Sequence, residues 1–298
     1  MKIPVFLLRI DEYNETLEYA LYDVLNDFDI KCSNILIKPN FIAPKNFEIS
    51  CTNPYIIYYL SKIFLRQGCD VFIGDSPAFG SAKNIAKITG LYDLVKDLPV
   101  KIIDFNKTKY KGFYYPLAKE IQDVDLVINV SKLKAHGQMG LSLCVKNYFG
   151  LVVGFNKLLA HIRYGKDHNI FSDLILKILD YIPRSINIVD GIFAMEKTGP
   201  LDGVRKKLNL VAVSHNPVAL DTSIYNLIGA DINSIPLYKR ALLKNLYGSK
   251  LEHIDLIRDH SFNSKVEFQY PKELKDISFR PDRVFLSFVK RFYMGLFK

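Results

Sequence analysis

Groups able to do chemistry concentrate between residues 126 and 150. An apolar run, Leu126-Val127-Ile128-Asn129-Val130, leads into Ser131, Lys132, Lys134 and His136, and then into Met139-Gly140 and Lys146-Asn147-Tyr148-Phe149-Gly150. Three lysines and a histidine close to one buried strand are costly to hold unless something anionic neutralises them. Phosphate, carboxylate or a metal-bound anion would do so; the competing reading is a solvated basic loop. Lys146-Asn147 inside an otherwise apolar, Gly-bounded segment favours a ligand-facing role. His136 and His161 are 25 residues apart, and Lys157 precedes His161 by one helical turn. Two imidazoles and a lysine could serve as acid, base and anchor for proton transfer next to a carbonyl. Lys134, His136 and His161 are therefore the catalytic candidates, although either histidine alone could equally be a satisfied core or surface residue. Lys38, Asn40, Ser76, Lys132, Lys146, Asn147 and Lys157 are the ligand-binding candidates. Asp75 and Asp190 each follow a predicted strand, where a carboxylate could orient a lysine or help hold a divalent cation. Asp221 falls in the first turns of a predicted helix, where the helix dipole alone rewards an acid.

These residues need a scaffold, and the hydrophobic pattern supplies one. Short β-branched runs at 3–8, 34–38, 70–74, 101–104, 125–130, 186–190 and 208–214 predict strands, several of them apolar enough to be covered on both faces. Helices are predicted at 15–28, 54–67, 171–181, 217–228 and 236–247. Asn53-Pro54 and Asn216-Pro217 each offer a polar cap followed by proline at the first helical position. This alternation predicts an α/β fold with a mainly parallel sheet covered by helices on both faces. Ligands of such sheets gather beyond the carboxyl ends of the strands. Polar exits stand there: Lys38-Pro39-Asn40, Asp75-Ser76-Pro77, Ser131 to His136, Asp190-Gly191 and Ser214 to Pro217. Gly199-Pro200-Leu201-Asp202-Gly203 reads as a lid or a long hairpin. The division expected is an α/β domain over 1–270 and a basic aromatic segment over 271–298.

The chain has 298 residues, 49% hydrophobic and 24% charged, which excludes a disordered or collagen-like protein. No apolar run reaches the roughly 18–20 residues of a spanning helix. Met1-Lys2-Ile3-Pro4 leads into a strand without a small-residue cleavage site, so a cytoplasmic location is expected. Cys32, Cys51, Cys69 and Cys144 form no C-x-x-C pair, which argues against a zinc ribbon, an iron–sulfur run or a disulfide scaffold. Dinucleotide, P-loop, serine-hydrolase and zincin motifs are missing. The net charge of +9 is concentrated late: Arg280, Arg283, Lys290, Arg291 and Lys298 face only Asp282. Phe285, Phe288, Phe292 and Leu296 fall near one helical face. That basic amphipathic tail could lie on an anionic membrane surface, dock on a partner, or simply close the domain. Nucleic acid is a poor match, for no groove-reading helix or aromatic platform motif accompanies the charge.

The order of motifs resembles the domain of unknown function 362 family over about residues 34–250. It is carried by Lys38-Pro39-Asn40, Thr52 with Pro54, Gly74-Asp75-Ser76-Pro77, Ile128 to His136, Lys146 to Gly150, and Lys157 with His161. Val189-Asp190-Gly191-Ile192, Gly199-Pro200 with Gly203, and Asn216 to Asp221 complete it. The resemblance implies a motif set found across bacteria and archaea, often beside a ferredoxin-like iron–sulfur module, and no settled reaction. Here the four separated cysteines cannot ligate a ferredoxin cluster, so no iron–sulfur cluster is expected in this chain and a redox role would need a ferredoxin-like partner. A weaker likeness, of general type only, is to lactate racemases, whose nickel-bearing nucleotide is anchored on lysine; no residue roles follow from it. The expected function is an enzyme or enzyme subunit binding a small anionic metabolite or cofactor, with Lys/His acid–base chemistry. The alternative is an iron–sulfur-linked redox accessory protein. The cofactor is unknown, a divalent metal being one candidate.

Overall fold

The computed structural model describes residues 1–31, 33–77, 80–105, 113–154 and 156–275. In chain order the described elements are β1 (Ile3–Arg9), α1 (Glu15–Asn26), β2 (Asn34–Lys38), α2 (Phe47–Ser50), α3 (Pro54–Arg66), β3 (Asp70–Asp75), α4 (Ala82–Ile88), α5 (Leu91–Val95) and β4 (Val100–Asp104). There follow β5 (Leu126–His136), β6 (Gly140–Ser142), α6 (Cys144–Asn147), α7 (Asn156–Tyr164), α8 (His168–Ile178), β7 (Ser185–Glu196), β8 (Val204–Ser214), α9 (Pro217–Leu227), α10 (Pro236–Leu243) and β9 (Ile254–Arg258).

The strands join in one sheet, ordered β4-β3-β2-β5-β7-β8-β1-β9, with β6 folded back on the end of β5. β4, β3, β2, β5 and β7 are mutually parallel, β8 is antiparallel to β7 and β1, and β9 is parallel to β1. The mostly parallel α/β architecture expected from the hydrophobic pattern is thus the one observed. Leu126, Ile128 and Val130 of β5 pack on one face with the apolar stripes of α1 and α3, such as Leu21 and Ile57. Val127 faces the other side, with Phe171 and Ile175 of α8. Helices therefore cover both faces. The Asn-Pro starts behave as their chemistry dictates: Asn53 accepts from the Tyr55 amide and Asn216 from the Ala219 amide, with Pro54 and Pro217 at the first turn.

Two local differences matter. β5 does not end at Val130 but runs six residues further, to His136, every one of its residues buried. The 199–203 loop is the connection of the long β7–β8 hairpin. Of the predicted basic tail, residues 276–298 lie outside the described residues. Upstream of them, Phe268 is buried in the core and the Lys275 amide donates to the Gly137 carbonyl at 2.8 Å.

Candidate functional site

The carboxyl ends of β2 and β3 and the middle of β5 and β7 carry two buried ion pairs. Lys38, the last residue of β2, places Nζ 2.9 Å from Asp75 Oδ1 at the end of β3. Asp75 also accepts from the Phe41 and Ser76 amides, both at 2.8 Å. In the register of β5 and β7, Lys132 lies beside Asp190, and its Nζ is 2.9 Å from Asp190 Oδ2. The Tyr13 hydroxyl donates to Oδ1 at 2.7 Å, and the Asn53 amide to Oδ2 at 3.0 Å. Of the two roles open to these carboxylates, holding a cation or orienting a lysine, the second is what the geometry displays. Among the described residues no group of three or more His, Cys, Asp or Glu side chains could hold a metal ion.

Beside the Lys38–Asp75 pair runs a buried amide network, which Lys38 Nζ meets at Asn147 Oδ1, 3.4 Å away. Register sets Lys38 beside Asn129, Asn129 beside Asn187 and Asn187 beside Ser214, a polar row across four strands with all four residues fully buried. Asn129 Nδ2 donates to Asn187 Oδ1 at 2.9 Å and to the Cys144 carbonyl at 3.1 Å. Asn147 Nδ2 donates to Asn129 Oδ1, and Asn147 Oδ1 accepts from Asn40 Nδ2, both at 2.8 Å. The Tyr148 hydroxyl closes the row on Asn187 Oδ1 at 2.9 Å. Buried polar groups this well partnered fix one arrangement rather than many. They hold α6, and with it Lys146 and Asn147, against the sheet. Asp221 of α9 secures the other end of α6, accepting from the Cys144 and Val145 amides at 2.9 and 3.0 Å. Burial pushes Asp221 up to about 8 despite those two bonds. Its acid therefore caps a helix far back in the chain and not its own, which Asn216 caps and whose first turn holds no acid.

Lys134 and Lys146 have no such carboxylate among the described residues. Lys134 is fully buried and donates to Asn40 Oδ1 and, at 2.7 Å, to the Ser50 carbonyl. Burial, with Lys146 and Lys132 adding repulsion, brings its ammonium down to about 7. Lys146 keeps some solvent access and lies over two rings, 4.8 Å from the centre of Phe149 and 5.8 Å from that of Phe171. Burial and then Lys38 lower it to about 8. His161 of α7 packs on the same rings, at 5.3 and 4.7 Å. Burial, then Lys146 and Lys157, hold His161 down to about 3. His136 is lowered well below the ordinary histidine range by burial, then by Lys146, Lys134 and His161. Its Nδ1 accepts from the Gln138 amide at 3.2 Å, which assigns the proton of the neutral ring to Nε2. Lys157, on α7, donates to the Ser76 carbonyl. The structure thus brings together the lysines, histidines and amides singled out in the sequence with Asp75 and Asp190, whereas Asp221 lies behind α6, bonded to its first two amides. It corrects their setting: Lys132, Lys134 and His136 are strand residues, not a solvated loop after one. A shallow cavity of about 280 Å³ at the other end of β7, lined by Ser185, Tyr148 and Asn216, holds none of these cations.

The model of the family described as Domain of unknown function (DUF362) matches residues 35–226. The chain belongs to this family. A relative covering most of it, the thylakoid-associated protein of Synechocystis sp., is 32% identical over 271 residues, 89% of this chain and 84% of that protein. Among solved structures, the lactate racemase apoprotein from Thermoanaerobacterium thermosaccharolyticum is similar over 73% of this chain, with 15% identity and a TM-score of 0.47. This chain spans 55% of the racemase's length. No helix among the described residues is long and apolar enough to cross a membrane.

Within this DUF362 protein, several site residues escaped the reading of the sequence: Asn129, Asn187, Tyr148, Tyr13 and Gln138. A signal existed for two of them. An asparagine in mid-strand between apolar neighbours, as in Ile128-Asn129-Val130 and Ile186-Asn187-Ile188, needs a partner there. Gly150 is a further case. A Cβ at this position would stand 2.5 Å from Lys38 Nζ and 2.8 Å from Asp75 Oδ1. Gly150→Ala must push into the buried pair, and a loss of about 1–3 kcal/mol is expected by urea denaturation. An unchanged midpoint would show that the backbone gives way freely there.

Proposed function

We propose that this protein binds a small anionic metabolite or cofactor at the carboxyl ends of β2, β3, β5 and β7 and acts on it by Lys/His acid–base chemistry. One observation carries the reading: Lys134 and Lys146 are two largely buried cations without a carboxylate partner among the described residues. A bound phosphate or carboxylate would supply the missing charge. Lys134, near 7, is the group best matched to exchanging a proton at neutral pH. With both imidazoles neutral, His136 Nε2–H is placed to polarise a carbonyl rather than to deliver a full proton, until a bound anion raises its affinity for one.

Thermal unfolding in the presence of phosphate, oxalate and pyruvate tests the reading. At saturation about a hundredfold above its dissociation constant, a specific anion stabilises by about 2.7 kcal/mol. That increment is expected to vanish in Lys134→Met and Lys146→Met. If no anion raises the melting temperature, or the variants respond like the parent, the proposal fails.

Peripheral contact with an anionic membrane belongs to the same proposal. It is supported by the name of the Synechocystis relative and by the basic aromatic sequence of residues 280–298.

A further inference from the structure

Resting on the anion-binding reading, we propose that Lys146 is a covalent amine: its Nζ condenses with the carbonyl carbon of an anionic oxo acid to form an imine. Five lysines meet at the strand ends, and four have Nζ engaged. Lys38 is held by Asp75 and the Pro39 carbonyl, Lys132 by Asp190 and Tyr13, Lys134 by Asn40 and the Ser50 carbonyl, and Lys157 by the Ser76 carbonyl. Lys146 Nζ has neither a hydrogen bond nor an ion pair among the described residues; ring faces are its neighbours. It is also anchored from behind. Asp221 caps the start of α6, and the adjacent Asn147 is locked into the amide network, so the stem of Lys146 is positioned while its tip is left unbonded. A nucleophilic lysine needs this combination: a fixed stem, an apolar wall, and neighbouring cations that favour the neutral amine. Burial and Lys38 bring the amine within reach of neutrality, to about 8.

The surroundings suit the substrate class. Lys134 donates to Asn40 Oδ1, and Asn40 Nδ2 donates to Asn147, next to Lys146, so Lys134 can meet the carboxylate of an oxo acid while the carbonyl faces Lys146. His136 carries an Nε2–H that can stabilise the developing oxyanion. In the step itself, the nitrogen lone pair adds to the carbonyl carbon and the C=O π electrons move to oxygen. One amine proton passes to that oxygen, giving a carbinolamine. Protonation of the hydroxyl expels water, the nitrogen gives up its remaining proton, and C=N remains. One amine and one carbonyl yield one imine and one water, with no change of oxidation state.

The probe is glyoxylate, with borohydride to reduce the imine to a stable secondary amine, applied to the full-length protein and read by peptide mass spectrometry. Expected is an adduct at Lys146 at least tenfold above that at any other lysine, formed faster with glyoxylate than with uncharged propanal. It should be lost in Lys146→Arg, which keeps the cation, and in Lys146→Met should the arginine variant fold poorly. Labelling should rise with pH to half its maximum near pH 8. Labelling spread evenly over surface lysines, undiminished in both variants, or faster with propanal overturns the inference. Oxalate or glyoxylate that raises the melting temperature while leaving Lys146 unlabelled overturns the imine but leaves anion binding intact. With no melting shift from any anion and no adduct, both readings fall.

Discussion

Replacing Lys132 with methionine is expected to lower the free energy of unfolding by about 3–5 kcal/mol, measured by urea denaturation. Lys132 and Asp190 are both fully buried, so removing the ammonium strands a carboxylate where water cannot reach it. Tyr13 and the Asn53 amide would still donate to that carboxylate, but two neutral donors do not replace a charge at 2.9 Å. The companion variant Lys132→Met with Asp190→Leu is expected to recover more than half of the loss, because it removes the stranded charge as well. Two residues along the same strand, Lys134→Met should cost less, under about 2 kcal/mol. It leaves the Asn40 and Ser50 acceptors short of a donor, yet strands no carboxylate and removes a buried cation. Equal losses at positions 132 and 134 would contradict the division of the lysines into paired and unpaired cations.

That division also shows what the sequence could and could not reveal. The parallel sheet was legible because runs such as Leu126-Val127-Ile128 and Val71-Phe72-Ile73 are apolar on both parities, and because Asn-Pro steps mark helix starts wherever they occur. The length of β5 was not. Charge at Lys132 and Lys134 breaks the apolar pattern, so the strand reads as ending before them. Only the register with β7 reveals that Asp190 supplies a partner 58 residues away. For the same reason Asn129 and Asn187 look like isolated irregularities until adjacent strands set them side by side. Asp221 was readable as an acid near a helix start, but Asn216 caps that helix, and the one Asp221 does cap lies 77 residues upstream, beyond any local rule. β9 escaped because it is an edge strand with only Ile254 buried, which leaves little periodicity to read. Which residues could do chemistry was thus visible from their types; which lysines are neutralised was not, since that depends on partners brought by the fold.

Between about pH 8 and 10, this protein is expected to gain stability as pH rises, through Lys134 and Lys146. An unfolded lysine keeps its proton up to about 10.4, whereas these two in the folded chain have lost theirs above about 7 and about 8. In that window the unfolded state holds more protons, so the free energy of unfolding increases with pH, by up to about 1.4 kcal/mol per unit for each lysine. Other groups act in the opposite direction. Asp221, raised to about 8, stabilises when protonated and loses that contribution as pH climbs from about 4 through 8. The Cys144 thiol, raised well above its ordinary value by burial, stabilises less above about 8.5. Comparing the parent with the Lys134→Met, Lys146→Met double variant cancels both, and the parent should show the steeper rise in urea-denaturation series. Identical slopes would mean that both lysines remain charged in the folded chain. The same linkage reaches ligand binding: an anion seated against Lys134 restores its ammonium form, so binding at pH 8–9 must draw protons from the buffer. Calorimetric titration with oxalate in buffers of differing ionisation enthalpy should register that uptake, and the double variant should not.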